Sequence, residues 1–313
     1  MLPLARNELT PNHVKAFAEL VASKPGAKWL LTDRALIDPG KSERLTRSLG
    51  WCSKPAFDGS RLDVFGANGP QLIAVPDLAV SDWELALQKW LALDPTGAGL
   101  SVICSPFSDA DVSSALRYLA LATVDDDLSL HCRCADARVL AHLLPILGAP
   151  QAARLKGTID AWWWWDAQGM GCFWTPDQAG NLLPDSAVSV ASDHLQLSNA
   201  QYAEMMDRSE PDIMFSLLMD QTSELVPETG RGDFRVGLQR MLETATQYAV
   251  TQTPDRLQFV VLSLATGESF HQHPALKAMW QRIRTQSGSL SQEMKAWSDE
   301  LWADLDHGRR PAQ

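Results

Sequence analysis

The stretch Leu128–Trp174, LSLHCRCADARVLAHLLPILGAPQAARLKGTIDAWWWWDAQGMGCFW, restricts the fold of this chain more than any other. Leu128–Cys134 alternates like a half-buried strand. Asp136 stands where a side chain caps a short apolar helix, and a second short helix follows. Four consecutive tryptophans then open a hairpin, with strands Ala161–Trp165 and Met170–Trp174 and a turn at Asp166–Gly169. In a strand, Trp162 and Trp164 face one way and Trp163 and Trp165 the other. One pair packs on the core of the sheet. The other needs cover from the C-terminal lobe or from a partner, and tryptophan is a favoured interface anchor. The stretch holds no recognisable catalytic motif, which points toward a protein that binds another protein.

The rest of the N-terminal half repeats strands and helices. Residues 11–23 carry Val14, Phe17, Leu20 and Val21 on one helical stripe, and Trp29–Thr32 is a short strand ending at Asp33. Lys41–Leu49 reads as a helix and Gln71–Val75 as a strand. Ser81 and Glu84 form a capping box for a helix with Trp83, Leu87 and Trp90 on one face, running to about Leu93. Leu100–Cys104 is a strand, and Ser108 opens a helix bearing Val112, Leu116 and Leu119. Such alternation predicts an α/β lobe over residues 1–180, with a mainly parallel or mixed sheet and flanking helices. Residues 175–195 are richer in Pro, Gly, Ser and Asp, and 181–195 read as a linker.

Residues 196–313 are predicted to form an all-α C-terminal lobe. Ser198 and Gln201 make a capping box for a helix that breaks at Pro211, with Met214, Leu217 and Leu218 on a second run. Asp233 caps a helix with Phe234, Leu238, Met241 and Leu242. Thr253 and Pro254 read as N-cap and first helical residue, with a stop at Gly267. Pro274 starts another helix. A final helix, Leu290–Leu305, carries Leu290, Met294, Trp297, Leu301, Trp302 and Leu305, an amphipathic stripe expected to dock on the body of the same chain, the alternative being an exposed helix used by a partner.

Composition narrows the function. A hydrophobic content of 45% and a charged content of 21% are those of a soluble globular protein, and no apolar run is long enough to span a bilayer. The net charge of −11 is spread over both halves, so a nucleic-acid partner lacks its basic footprint and an anionic membrane is disfavoured. The start MLPLARNELTPNHV has no basic end followed by an apolar core, so a cytoplasmic protein is expected. Five cysteines, an odd count, argue for reduced thiols. Cys132 and Cys134 read as small core residues sharing a strand face with Leu128 and Leu130.

Other constellations carry little chemistry. The glycine pair of Gly66-Ala67-Asn68-Gly69-Pro70 leads into a strand and not a helix, so it is a turn and not a phosphate loop. No G-x-S-x-G elbow exists, and Gln286-Ser287-Gly288-Ser289 is a plain loop. Asp125-Asp126-Asp127 reads as a solvated turn. His271, His273 and Glu268 are the residues of an alternative reading, a metal-dependent hydrolase, although zinc needs a third and usually a fourth well-placed ligand. His131 and His142 have no partner at a useful spacing. Asp136 and Arg138 are the stronger pair, since Asp136 accepts backbone N–H bonds at a helix start and Arg138 pairs with it or with a partner's carboxylate.

The order of parts resembles the type VI secretion effector chaperones, or adaptors, catalogued as a domain of unknown function. It begins with a strand and acidic turn, WLLTDRALIDPG, and continues with KPAFDGSRLDVFGANGPQLIAV. The most telling part is HCRCADARVLAHLLPIL, a strand, an Asp-Pro-Arg-Val-Leu-like helix start and a Leu-Leu-Pro, before the aromatic hairpin GTIDAWWWWDAQG. LSNAQYAEMM and FVVLSLATGESFHQHPAL fit the helical part. Ala137 stands where the family has proline, and Cys134-Ala135 where it has an aromatic pair; Asp136 and Arg138 remain. The resemblance implies a non-enzymatic protein, without cofactor or metal, that binds a toxic effector and helps load it onto the spike protein. Asp136, Arg138 and Trp162, Trp163, Trp164 and Trp165 are the expected partner-binding residues.

Overall fold

The computed structural model describes residues 4–65, 69–124, 128–178, 193–285 and 288–307. Outside them lie Gly66–Asn68 of the glycine-paired turn, Asp125–Asp127, most of the expected linker, Gln286 and Ser287 of the late loop, and residues 308–313 of the tail. The chain divides into two compact units, Met1–Ser209 and Glu210–Gln313.

The first unit runs α1 (Pro11–Ala22), β1 (Lys28–Thr32), α2 (Pro39–Ser48), β2 (Cys52–Pro55), β3 (Gln71–Val75), α3 (Val80–Leu91), β4 (Leu100–Cys104), α4 (Asp109–Ala120), β5 (Leu121–Val124), β6 (Leu128–His131), α5 (Ala137–Leu143), α6 (Ala149–Leu155), β7 (Ala161–Trp165), β8 (Gly171–Trp174) and β9 (Leu195–Leu197). The helix α7 (Asn199–Gln221) holds the boundary between the units, and α8 (Arg231–Gln247), α9 (Thr253–Thr266), α10 (Lys277–Arg284), α11 (Leu290–Met294) and α12 (Asp299–His307) follow. An N-terminal region of strands and helices thus precedes an all-helical C-terminal segment.

Six strands form the main sheet in the order β2-β3-β1-β4-β7-β8, and every neighbouring pair is antiparallel. The alternation of strands and helices favours parallel or mixed neighbours, and the pairings explain the difference. β1 and β2 run the same way around α2, and β3 and β4 the same way around α3. Each of these crossovers has another strand in its gap, β3 in the first and β1 in the second. Mixed pairing resides in the small sheet β6-β5-β9, where β5 is antiparallel to β6 and parallel to β9.

The period-2 pattern of the central strands puts one set of side chains on each face. On one face Leu30, Ile73, Val102, Trp163 and Trp165 meet Val14 and Phe17 of α1 and Trp83, Leu87 and Trp90 of α3. On the other, Leu31, Leu72, Ile103, Trp162 and Trp164 meet Val112, Leu116 and Leu119 of α4 and Leu140 and Leu143 of α5. The hairpin tryptophans are therefore covered on both faces by helices of their own unit. Trp165 stacks on Phe17 with ring centroids 3.8 Å apart, and Trp162 Nε1 donates to Ser101 Oγ at 2.9 Å.

Several boundaries differ from the sequence reading, each for a local reason. β6 ends at His131, because Cys132 N bonds Ala120 O at 2.8 Å and the chain then turns. Cys132 and Cys134 are buried beyond the strand, whereas Leu128 is exposed. α3 begins at Val80, its first turn closing on the Ala79 carbonyl, so Ser81 lies inside the helix. Gly230, whose φ of +68° suits glycine, is the cap position of α8, and Asp233 sits in the first turn at the positive helix end. Gln252, not Thr253, caps α9. α7 continues through Pro211 without a break. The last amphipathic stripe splits into α11 and α12, since Trp302 N returns to Ser298 O and restarts the helix. Leu290 and Leu305 of that stripe are buried with Phe259 and Trp280, and Trp302 is exposed. β2 carries no sequence signal, since all four of its residues are exposed, and β5 carries none because α4 passes into it without a spacer.

Candidate functional site

The segment between β6 and α5 crosses the end of β1 and builds an ionic cluster there. Asp136 has extended backbone and caps α5, its Oδ1 accepting Arg138 N at 3.0 Å. The Arg138 guanidinium grips the same carboxylate in two-point fashion, Nε to Oδ1 at 3.0 Å and Nη2 to Oδ2 at 2.6 Å. Asp136 is 1% exposed, and Arg133 Nη1 lies 3.8 Å from its Oδ2 on the other side. Arg133 donates in turn through Nη2 to Asp33 Oδ2 at 2.8 Å. Two buried carboxylates and two arginines thus form a neutral chain, Asp33–Arg133–Asp136–Arg138. The arginine side chains are 38% and 27% exposed, so each guanidinium is anchored from beneath and reaches the surface.

The backbone around the cluster is tied at several points. Ala137 N donates to Ala98 O at 2.7 Å and Asp33 N to Gly99 O at 2.9 Å, so both acids hang on one loop before β4. Asp94 holds that loop by accepting Gly99 N at 2.7 Å. Gly97 has φ +63°, and a Cβ there would come within 2.8 Å of the Trp165 ring. Trp165 thus packs against this loop, and Trp162 and Trp164 share a core cluster with Cys134, Ala135 and Ala137 of the site segment.

Burial pushes the Asp33 carboxyl above the usual carboxylate range, against the pull of Arg133 and of the Ala35 N–H that bonds its Oδ1 at 2.8 Å. Partial desolvation, with Arg133 nearby, holds the His131 imidazole below its ordinary value. Burial raises the Cys132 thiol to about 11 and raises Cys134 as well. Beside the cluster a cavity of about 280 Å³ is lined by Asp33, Ala35, Phe57, Gly69, Pro70, His131, Arg133, Cys134 and Ala135.

The structure brings Asp136 and Arg138 together as the sequence suggests and adds Asp33 and Arg133, which the sequence reading passed over. The available signal was the flanking of Asp136 by arginines three residues before and two residues after. Trp162, Trp163, Trp164 and Trp165 are all buried in the first unit. His271, His273 and Glu268 do not converge. The His271 ring packs with Tyr248, Phe259 and Phe270, His273 Nδ1 accepts Ala275 N at 3.4 Å, and Glu268 pairs with Arg240 at 3.6 Å. Among the described residues no three His, Cys, Asp or Glu side chains are placed to hold a metal ion, and no helix is long and apolar enough to cross a membrane.

Residues 29–154 match the family model of DUF4123, a domain of unknown function, from the second residue of β1 to the penultimate residue of α6. The chain therefore carries a DUF4123 domain there. No curated protein and no solved structure matches the chain.

Proposed function

We propose that this DUF4123-bearing chain is a cytoplasmic chaperone or adaptor that binds a type VI secretion effector and helps load it onto the spike complex. The observation that carries the reading is the Asp33–Arg133–Asp136–Arg138 chain. Its carboxylates are buried and hold two arginines that reach the surface, and Arg133 lines an apolar cavity there. Arginines fixed this way lose little side-chain freedom when a partner docks. The order of parts in the sequence, including the retained Asp136 and Arg138, supplies the identity of the partner. The buried tryptophans serve by fixing the sheet and the Gly97 loop beneath the cluster.

The test is affinity capture with the tagged chain from source cells expressing the secretion machine. The expected result is a toxin-like protein and a spike component, with effector recovery lowered at least about tenfold by Arg138→Ala, the scale of one well-placed ionic anchor. Capture of neither protein overturns the reading. Undiminished capture by a folded Arg138→Ala variant removes the cluster from the interface.

A further inference from the structure

The cavity beside Asp33 has a chemistry of its own. Its walls are largely apolar, with Ala35, Phe57, Pro70, Cys134 and Ala135, and the polar residues among them are Asp33, Arg133 and His131. At about 280 Å³ it falls just under the range of ligand pockets, roughly 300–1,000 Å³, and is sized for one ring system instead of a nucleotide or larger cofactor.

The charges select among occupants. Asp33 is matched by Arg133 at 2.8 Å, and both side chains line the cavity. An added cation would lie beside Arg133, and an added anion beside Asp33. A neutral group meets neither penalty. Among the described residues each Asp33 oxygen accepts one hydrogen bond, Oδ1 from Ala35 N and Oδ2 from Arg133, whereas a carboxylate has about four lone-pair sites. Acceptor capacity therefore remains, and the best complement is a single N–H or O–H on an otherwise apolar body. Phe57 offers a ring face or edge, and Arg133 offers a planar cation that stacks on aromatic faces. An aromatic ring uses these walls better than an aliphatic chain of equal volume.

We infer that this cavity receives one neutral, donor-bearing aromatic side chain, a tryptophan of the partner polypeptide, with its indole N–H on Asp33 and its ring between Phe57 and Arg133. The inference rests on the binding role proposed above for its partner and on the cavity itself for its chemistry.

The experiment uses the full chain and needs no partner. N-acetyl-tryptophanamide is titrated against labelled protein, with backbone amides of Ala35, Gly69, His131 and Ala135 followed by NMR. Saturable shifts at these residues are expected, about tenfold weaker for the 1-methyl-indole analogue, which keeps the ring and lacks the donor. Ala35→Leu, at an exposed rim position compatible with folding, is expected to weaken binding by a similar factor. Equal binding of the two analogues overturns the role of Asp33. Absence of shifts at the cavity residues overturns the site, and binding of free indole without N-acetyl-tryptophanamide overturns a side-chain occupant. None of these outcomes depends on effector capture, so failure here is separable from failure of the adaptor reading.

Discussion

Trp162 and Trp164 offer a controlled comparison, because they project from the same face of β7 into the same core. Both are buried, and replacing either by phenylalanine removes a comparable amount of apolar surface. They differ in one bond. Trp162 Nε1 donates to Ser101 Oγ, itself buried, whereas Trp164 Nε1 has no hydrogen-bond partner among the described residues. Trp162→Phe therefore loses a bond and leaves a buried hydroxyl unpaired, at about 1–3 kcal/mol beyond the packing loss. Trp164→Phe deletes an unpaired donor and recovers part of its desolvation cost, also of order 1 kcal/mol or more. The expected difference is about 2–4 kcal/mol, with Trp162→Phe the less stable. Urea unfolding followed by near-ultraviolet circular dichroism measures it, and adding Ser101→Ala to each variant tests the origin. In the Trp162→Phe background Ser101→Ala should cost almost nothing. Equal stability of the two single variants, or a larger loss for Trp164→Phe, refutes the assignment of the difference to this bond.

Asp136→Ala should destabilise the first unit by about 2 kcal/mol, since it removes a helix cap and leaves two partly exposed arginines without their buried carboxylate; Asp136→Asn, which keeps the cap acceptor, should cost less, and thermal denaturation separates the two. For Asp33, a raised folded pKa means that the folded state holds the proton more tightly than the unfolded one. The wild type should therefore gain stability relative to Asp33→Asn as pH falls from 7 through the raised pKa toward 3.8, and a gain in the opposite direction in urea midpoints contradicts the burial argument. Arg133→Met should move the Asp33 pKa further up, as read from its carboxyl carbon shift in NMR titration. Native alkylation at pH 8 should reach exposed Cys52 first and leave Cys132, buried and raised to about 11, among the last, with peptide mass spectrometry giving the order.

Where side-chain periodicity settles the structure, the sequence was readable. The stripes Val14–Phe17–Val21 and Trp83–Leu87–Trp90, and the alternation of the central strands, appear as expected because each pattern has one face to bury. Neighbours in the sheet were not readable in the same way. A helix between two strands fixes their direction but not whether a third strand enters the gap, and that is decided by contacts distant in sequence. The tryptophan run required cover on both faces, and nothing local said that α1, from the other end of the unit, supplies it. In the site, Asp136 and Arg138 are two residues apart and announce each other. Asp33 and Arg133 are a hundred residues apart and meet only because β1 is the middle strand and β6 ends early at His131.

The interleaved strand order also sets a timetable for the molecule as it leaves the ribosome. β1 is made among the first elements, yet its two neighbours are β3 and β4, and β4 in turn waits for β7. No contiguous early piece closes the sheet by itself. The DUF4123 match at 29–154 is such a piece: it omits α1, which shields one face, and β7 and β8, which bring all four neighbouring tryptophans. The matched segment is thus smaller than the compact unit Met1–Ser209 that contains it, and β7 and β8, the strands that complete its sheet, are made after it.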